Sequence, residues 1–221
     1  MPTNSKEDYL KAILMLEAES DDAVSTTAIA QRLNMRPASV TGMIRVLHEA
    51  GWVNYEAYRG VTLTDRGRTI ATDIIRKHRL WEVFLVDKLG FGWEEVHDLA
   101  EQLEHIDDPE LVRRLALFLG NPKFDPHGDP IPTASGTMED DRQLVRLSAL
   151  AEGESGVVKG VVDSGDAFLA HLNTLGIEIG TKLLVKSRFA YDGSMEIQQS
   201  SGDIQRVCTR QVVDNLWIEL A

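Results

Sequence analysis

The chain has 221 residues, 43% apolar and 26% charged, and its 35 acidic against 23 basic side chains leave a net charge of −12. That composition belongs to a soluble globular protein, and no apolar run approaches the roughly 20 residues a membrane-spanning helix needs. One cysteine, Cys208, excludes an internal disulfide and a cysteine-rich zinc site; with an opening "MPTNSKEDYL" that lacks a signal-peptide pattern, it points to the cytoplasm.

The acidic balance argues against a simple nucleic-acid binder, which carries a basic footprint. The charge is uneven, however. Between residues 32 and 68 stand Arg32, Arg36, Arg45, Arg59, Arg66 and Arg68 against Glu49, Glu56 and Asp65, a local +3 inside an acidic chain.

In chain order, residues 5–18 read as a helix with Ser5 as N-cap and Leu10, Ile13, Leu14 and Leu16 as its apolar positions. "VSTTAIAQRL" opens a second helix, capped by Ser25 or Thr26. After the break "NMRP", "ASVTGMIRVLHEAG" is a third, with Val40, Met43, Ile44 and Leu47 inward and Gly51 at its end. "WVNYEAYRGVTLT" alternates like a two-stranded ribbon turning near Arg59-Gly60. Helix, helix, tight turn, helix, ribbon is the order of a winged helix-turn-helix.

Thr64 or Asp65 then caps a long helix reaching about residue 88. "GWEEVHDLAEQLEHI" and "DDPELVRRLALFLG" are two more, rich in apolar side chains. Such a helical unit leaves an apolar face for a second copy to cover, so a homodimer is expected. "NPKFDPHGDPIPTASGTMEDD", 121–141, reads as a linker. Beyond it "GVVKGVV", "KLLVKSRF", "MEIQQ" and "QVVDNLWIEL" are strand-like runs of a small β-barrel, with a helical stretch at "DAFLAHLNTLG".

Chemistry concentrates in "HDLAEQLEHI". On a helix His97, Glu101, Glu104 and His105 share one side, while Val96, Leu99, Ala100, Leu103 and Ile106 face a core. Like charges one turn apart repel, which a bound cation would offset. His78 and Glu82, one turn apart in "RKHRLWEVF", offer a matching set. Glu-x-x-Glu-His alone is common on solvated faces, His78 with Glu82 alone is a surface pair, and Asp8 in "SKED" suits a capping arrangement. The conjunction of two acidic-histidine helices with a winged helix is what points to metal, and carboxylates with imidazoles favour Mn(II) and Fe(II) over softer ions.

"EDYLKAI", "RKHRLWE", "VHDLAEQLEHI" and "PHGDPIP", in that order, resemble the DtxR/MntR (diphtheria toxin repressor) family of metal-dependent transcriptional repressors nearly end to end. The resemblance implies a mainly α protein with a small β domain. It would comprise a winged helix-turn-helix DNA-binding domain (1–75), a helical metal-binding and dimerisation domain (76–143, with the linker 121–143) and an SH3-like, FeoA-like β-barrel (144–221). It implies a primary site of Asp8, Glu101, Glu104 and His105. Iron-sensing members carry methionine and cysteine at the positions of Asp8 and Glu101, and manganese-sensing members carry carboxylates, so Mn(II) is expected, with Fe(II) as the alternative. A second site would use His78, Glu82 and His97, completed by Asp163 or Asp166, giving two sites per subunit. Small two-domain manganese sensors have a glutamate where this chain has Lys11, so their closely spaced binuclear arrangement is not expected.

The expected activity is metal-activated repression of metal-uptake genes, without catalysis, membrane contact or an organic cofactor. Metal would bridge Asp8, otherwise held only by its helix cap, to the dimerisation helices and set two recognition helices for a palindromic operator in double-stranded DNA. Outward positions on the recognition helix are Arg36, Ala38, Ser39, Thr41 and Gly42; Thr26, Thr27, Arg36, Arg45, Tyr58 and Arg59 are candidates for phosphate. Arg45 has an alternative partner in Glu49, and Tyr58 could pack in the ribbon. A carboxylate-histidine metalloenzyme would leave the winged helix unexplained. A regulator answering to an organic ligand would bind DNA without metal, and a manganese buffer would bind no DNA.

Overall fold

The computed structural model describes residues 4–19, 22–56, 59–199 and 205–220. The chain forms two compact units, one of Met1–Trp81, Ala100–Leu117 and Ile131–Met138, the other of Glu82–Leu99, Phe118–Pro130 and Glu139–Ala221.

In the first unit α1 (Asn4–Glu19) buries Tyr9, Leu10, Ile13 and Leu14. It begins one residue before Ser5, so Ser5 lies within the helix and the expected capping role for Asp8 does not arise. α2 (Thr26–Arg32) is capped by Ser25, whose hydroxyl accepts from the Ala28 amide at 3.0 Å. α3 (Pro37–Glu49) starts on a proline, where a missing amide costs nothing, and turns Val40, Ile44 and Leu47 inward. β1 (Val53–Glu56) and β2 (Gly60–Leu63) pair antiparallel from Val53↔Leu63 to Glu56↔Gly60 and form the wing. These elements close on one core that includes Leu10, Ile13, Ile29, Val40, Ile44, Leu47, Trp52 and Val61. This is the winged helix-turn-helix that the periodicity predicts.

Thr64 caps α4 (Asp65–Leu89), its hydroxyl accepting from the Gly67 amide at 3.1 Å. Gly67 is needed because a Cβ there would lie 1.9 Å from the Trp52 carbonyl oxygen. Gly67→Ala is therefore expected to destabilise the protein by about 1–3 kcal/mol through overpacking, although alanine is the better helix former by about 1 kcal/mol. Chemical denaturation of the variant measures the sign directly.

α5 is shorter than expected, His97–Leu103, and Glu104 and His105 follow its last residue. The predicted faces are corrected there. Glu104 is 1% exposed and Ile106 is 39% exposed, because the chain leaves the helix axis after Leu103 and Glu104 finds buried partners. α6 (Pro109–Phe118) starts on its proline, with the Asp108 carboxylate accepting from the amides of Glu110 and Leu111. It leaves Leu111, Leu117 and Phe118 exposed, the apolar surface expected of a dimerising helix.

The second unit holds a six-stranded antiparallel sheet in the order β3-β8-β4-β5-β6-β7. Its strands are β3 (Leu144–Arg146), β4 (Ser155–Val161), β5 (Lys182–Arg188), β6 (Met195–Gln199), β7 (Gln205–Cys208) and β8 (Leu216–Leu220). Irregular register at Val158/Gly160 and Val185/Ser187 bends the sheet around Leu147, Val158, Leu172, Leu183, Val185, Ile197 and Ile218. α7 (Asp166–Leu175) is the predicted helical stretch. The run "QVVDNLWIEL" divides instead: Thr209 caps a short helix, α8 (Arg210–Asp214), and only Leu216–Leu220 is strand.

Residues 121–143 hold no helix, but they are not a slack linker. Asp125 and His127 are buried, and the Asp125 carboxylate accepts from the amides of His127 (2.8 Å) and Asp129 (3.0 Å). The Arg142 guanidinium lies 3.6 Å from the Phe124 ring centre and donates to the Gly128 carbonyl at 2.8 Å. Gly128 has φ +90°, and a Cβ there would meet the Lys159 carbonyl oxygen at 2.1 Å, so the segment lies directly against β4. Among the described residues no helix is long and apolar enough to cross a membrane.

Candidate metal centre

The apolar stripe of α1 that enters the winged-helix core leaves Asp8 and Lys11, one turn apart, on another face. Asp8 Oδ1 lies 3.1 Å from His105 Nε2, and His105 Nδ1 lies 2.7 Å from Glu7 Oε2. Both nitrogens of one imidazole thus face carboxylates of α1. Burial pushes the Asp8 carboxyl above its usual range. His105 opposes that shift, Glu104 and Glu101 add to it, and Lys11 opposes it.

Glu104 Oε2 lies 2.7 Å from the Lys11 ammonium and 2.5 Å from His78 Nδ1. One ligand atom each from Asp8, Glu104 and His105 falls within 4.8 Å of the others. Three of the four expected primary ligands therefore meet. Glu101 is half-exposed and turns toward Lys11, 3.8 Å from its ammonium. The donor set fits a hard divalent ion, being carboxylate oxygen with one imidazole.

Glu7 is the participant that sequence reasoning missed at this cluster, and Lys11, which in the sequence marks a departure from the two-domain sensors, is not visible there as the partner of Glu104. Glu7 is visible only as the neighbour of Asp8.

A second cluster lies in the other unit. Glu82, Asp125 and His127 are all buried, and their ligand atoms also lie within 4.8 Å of one another. His127 Nε2 sits 2.8 Å from the Trp93 carbonyl oxygen and Nδ1 3.7 Å from Glu82 Oε1, with the ring stacked on Trp93 at 6.1 Å. Burial alone would lower the imidazole pKa. The Glu82 carboxylate, with Asp125 and the Trp93 carbonyl, overcomes that and raises it to about 9. A ring nitrogen anchored on a carbonyl leaves the other oriented toward the carboxylates, as metal-binding histidines are held.

His97 Nδ1 lies 3.7 Å from the same Glu82 oxygen. His78 precedes Glu82 by one turn on α4, and one ligand atom each from His78, Glu82 and His97 falls within 4.8 Å of the others, while His78 Nδ1 also meets Glu104. Asp163 accepts from the Gly165 amide, and Asp166 stands in the first turn of α7; neither is among the grouped ligands. Asp125 and His127 escaped notice because they lie in a proline- and glycine-rich stretch that reads as a linker.

On the DNA-binding side Thr27, Arg36, Ala38, Ser39, Arg45 and Arg59 are exposed and Thr26 and Thr41 partly so; Tyr58 lies outside the described residues. The Thr41 hydroxyl donates to the Pro37 carbonyl at 3.1 Å, which leaves its lone pairs for other donors. Arg32, Arg59 and Arg68 pair with Glu19, Glu56 and Glu17. Among the described residues Arg36 and Arg45 form no ion pair, so the alternative partner of Arg45, Glu49, is not used.

A winged helix whose first helix also carries one of the three ligands of a carboxylate-imidazole cluster defines a metal-dependent DNA-binding regulator. Comparison with known proteins places that class. Residues 1–61 match the N-terminal DNA-binding domain of iron-dependent repressors, 64–133 the iron-dependent repressor metal-binding and dimerisation domain, and 145–220 the FeoA domain. The diphtheria toxin repressor of Corynebacterium efficiens is 31% identical over 189 residues, covering 81% of this chain and 82% of that protein. The iron-dependent repressor IdeR of Mycobacterium tuberculosis is 36% identical over 159 residues, covering 68% and 67%. A solved manganese-dependent transcriptional repressor in complex with manganese superposes with a TM-score of 0.87 at 35% identity, covering 98% of this chain and all of that one. The chain belongs to the DtxR/MntR-type family of metal-dependent transcriptional repressors, DNA-binding proteins with a dimerisation domain and not enzymes.

Proposed function

We propose that the protein is a manganese-activated repressor, able to respond to Fe(II), that controls metal-uptake and homeostasis genes as a homodimer on a palindromic operator. The observation that carries this reading is the meeting of Asp8, on the helix that cores the winged domain, with Glu104 and His105 within 4.8 Å. These three residues would hold the ion, with Glu101 at the rim. The ion supplies a divalent charge that offsets the repulsion among Glu7, Asp8, Glu101 and Glu104. What the chain itself supplies is the coupling: fixing Asp8 fixes α1, and α1 shares its core with the recognition helix α3. The domains would divide at 1–75, 76–143 and 144–221.

A second ion per subunit would centre on Glu82. The expected His78, Glu82 and His97 each offer a ligand atom there, and the buried Asp125 and His127 group with the same Glu82. His97 remains at the same Glu82 oxygen, and Asp163 or Asp166 would have to turn from its present place to join. Arg36, Arg45, Arg59, Thr26 and Thr27 would meet phosphate, and Tyr58 remains a candidate from the sequence. Ala38, Ser39 and Thr41 would face the base edges.

The test is anaerobic. Metal-stripped protein is incubated with sheared DNA from its own source, with and without Mn(II), and the retained DNA is sequenced. A few sites enriched only with Mn(II) are expected. Equal retention in both arms would deny the cluster a part in DNA binding and overturn the reading.

A further inference from the structure

We infer that the Lys11 ammonium is a built-in competitor for the metal ion. It takes up part of the charge of the primary cluster, holds Glu104 in place in the metal-free protein, and raises the metal concentration at which the cluster fills. The inference rests on reading Asp8, Glu104 and His105 as the ion site.

Lys11 is only 8% exposed, in a helix whose neighbouring positions Leu10, Ala12 and Ile13 are core. A lysine is rarely buried unless paired. Here its side chain delivers the ammonium to 2.7 Å from Glu104 Oε2, 3.8 Å from Glu101 Oε1 and 3.1 Å from His78 Nδ1. Glu104 is therefore claimed twice, as a partner of Lys11 and as one of the three grouped ligands. A divalent ion that takes Glu104 must do so beside a fixed positive charge. Glu104 is 1% exposed, so that repulsion is weakly screened by salt. The same ammonium keeps the buried carboxylate compensated when no ion is bound, so the cluster is already assembled and the ion enters against a charge instead of against disorder. With the ammonium lodged between Glu101 and Glu104, the cluster takes one divalent ion.

The experiment uses the metal-stripped full-length protein and the variants Lys11→Met and Lys11→Gln. Mn(II) is titrated by calorimetry, and melting temperature is followed with and without Mn(II). Asp8→Ala, in each background, identifies the part of the isotherm that belongs to this cluster. The expected result is at least a tenfold tighter Mn(II) affinity at the cluster in both Lys11 variants, at one ion per cluster in the wild type. Lys11→Met should also melt lower than wild type without metal and gain more from Mn(II). Lys11→Gln keeps a donor for Glu104 without the charge, so it carries the test if the methionine variant does not fold. Equal or weaker affinity in the Lys11 variants would overturn the inference alone. Wild-type binding unaffected by Asp8→Ala would overturn the site reading beneath it.

Discussion

Asp8→Ala is expected to fold as the wild type does and to need at least about a hundredfold more Mn(II) for half-maximal operator binding. A hundredfold corresponds to about 2.7 kcal/mol of lost binding free energy. Asp8 is the only one of the grouped ligands that comes from α1, so its loss removes the bridge as well as one charge. Its side chain is 46% exposed, and truncation at such a position changes stability by little, about 0.5–1 kcal/mol. Stability and metal response should therefore separate. A mobility-shift titration of Mn(II) against a fixed operator, beside a thermal melt of the metal-free protein, reads both. An unchanged midpoint for operator binding would remove Asp8 from the switch.

Glu104→Ala should do the opposite, costing stability before any metal is added. The carboxylate is 1% exposed and is the nearest counter-charge of the buried Lys11 ammonium. Truncating one member of a buried ion pair leaves the other desolvated and uncompensated, at about 3–5 kcal/mol. Replacing both partners by apolar residues of similar volume, Lys11→Met with Glu104→Leu, should recover most of that loss while still abolishing the metal response. Urea denaturation of Lys11→Met, Glu104→Leu and their double variant closes the cycle, with Glu104→Ala measured beside them. A loss under about 1 kcal/mol for Glu104→Ala would show that the pair is not a closed one.

Much of this protein was legible in local pattern. The three helices and ribbon of the winged domain follow from apolar spacing, a serine cap and a proline start, all short-range properties of the chain. The metal character of "LEHI" follows from residue type, and that of Asp8 from the resemblance to the family. The errors arose where a side chain's partner is distant in sequence. Helical periodicity puts Glu104 on a polar face with Glu101, yet it is buried because Lys11, 93 residues earlier, and His78, 26 residues earlier, enclose it. The helix carrying it ends at Leu103, a boundary periodicity did not mark. Asp125 and His127 sit among prolines and glycines, which signal irregular backbone but not whether it is exposed. The contacts of Gly128 with β4 and of Arg142 with Phe124 bury them.

By itself, then, the sequence determined the element types, the DNA-binding motif and the hard-donor chemistry, because periodicity, caps and ligand preference act over a few residues. Only the tertiary structure decided which donors meet, that Lys11 stands among them as a fixed positive charge, and that Glu82 faces Asp125 and His127. Those outcomes depend on packing between segments far apart in the chain, where burial leaves a charged group no choice but to find a partner.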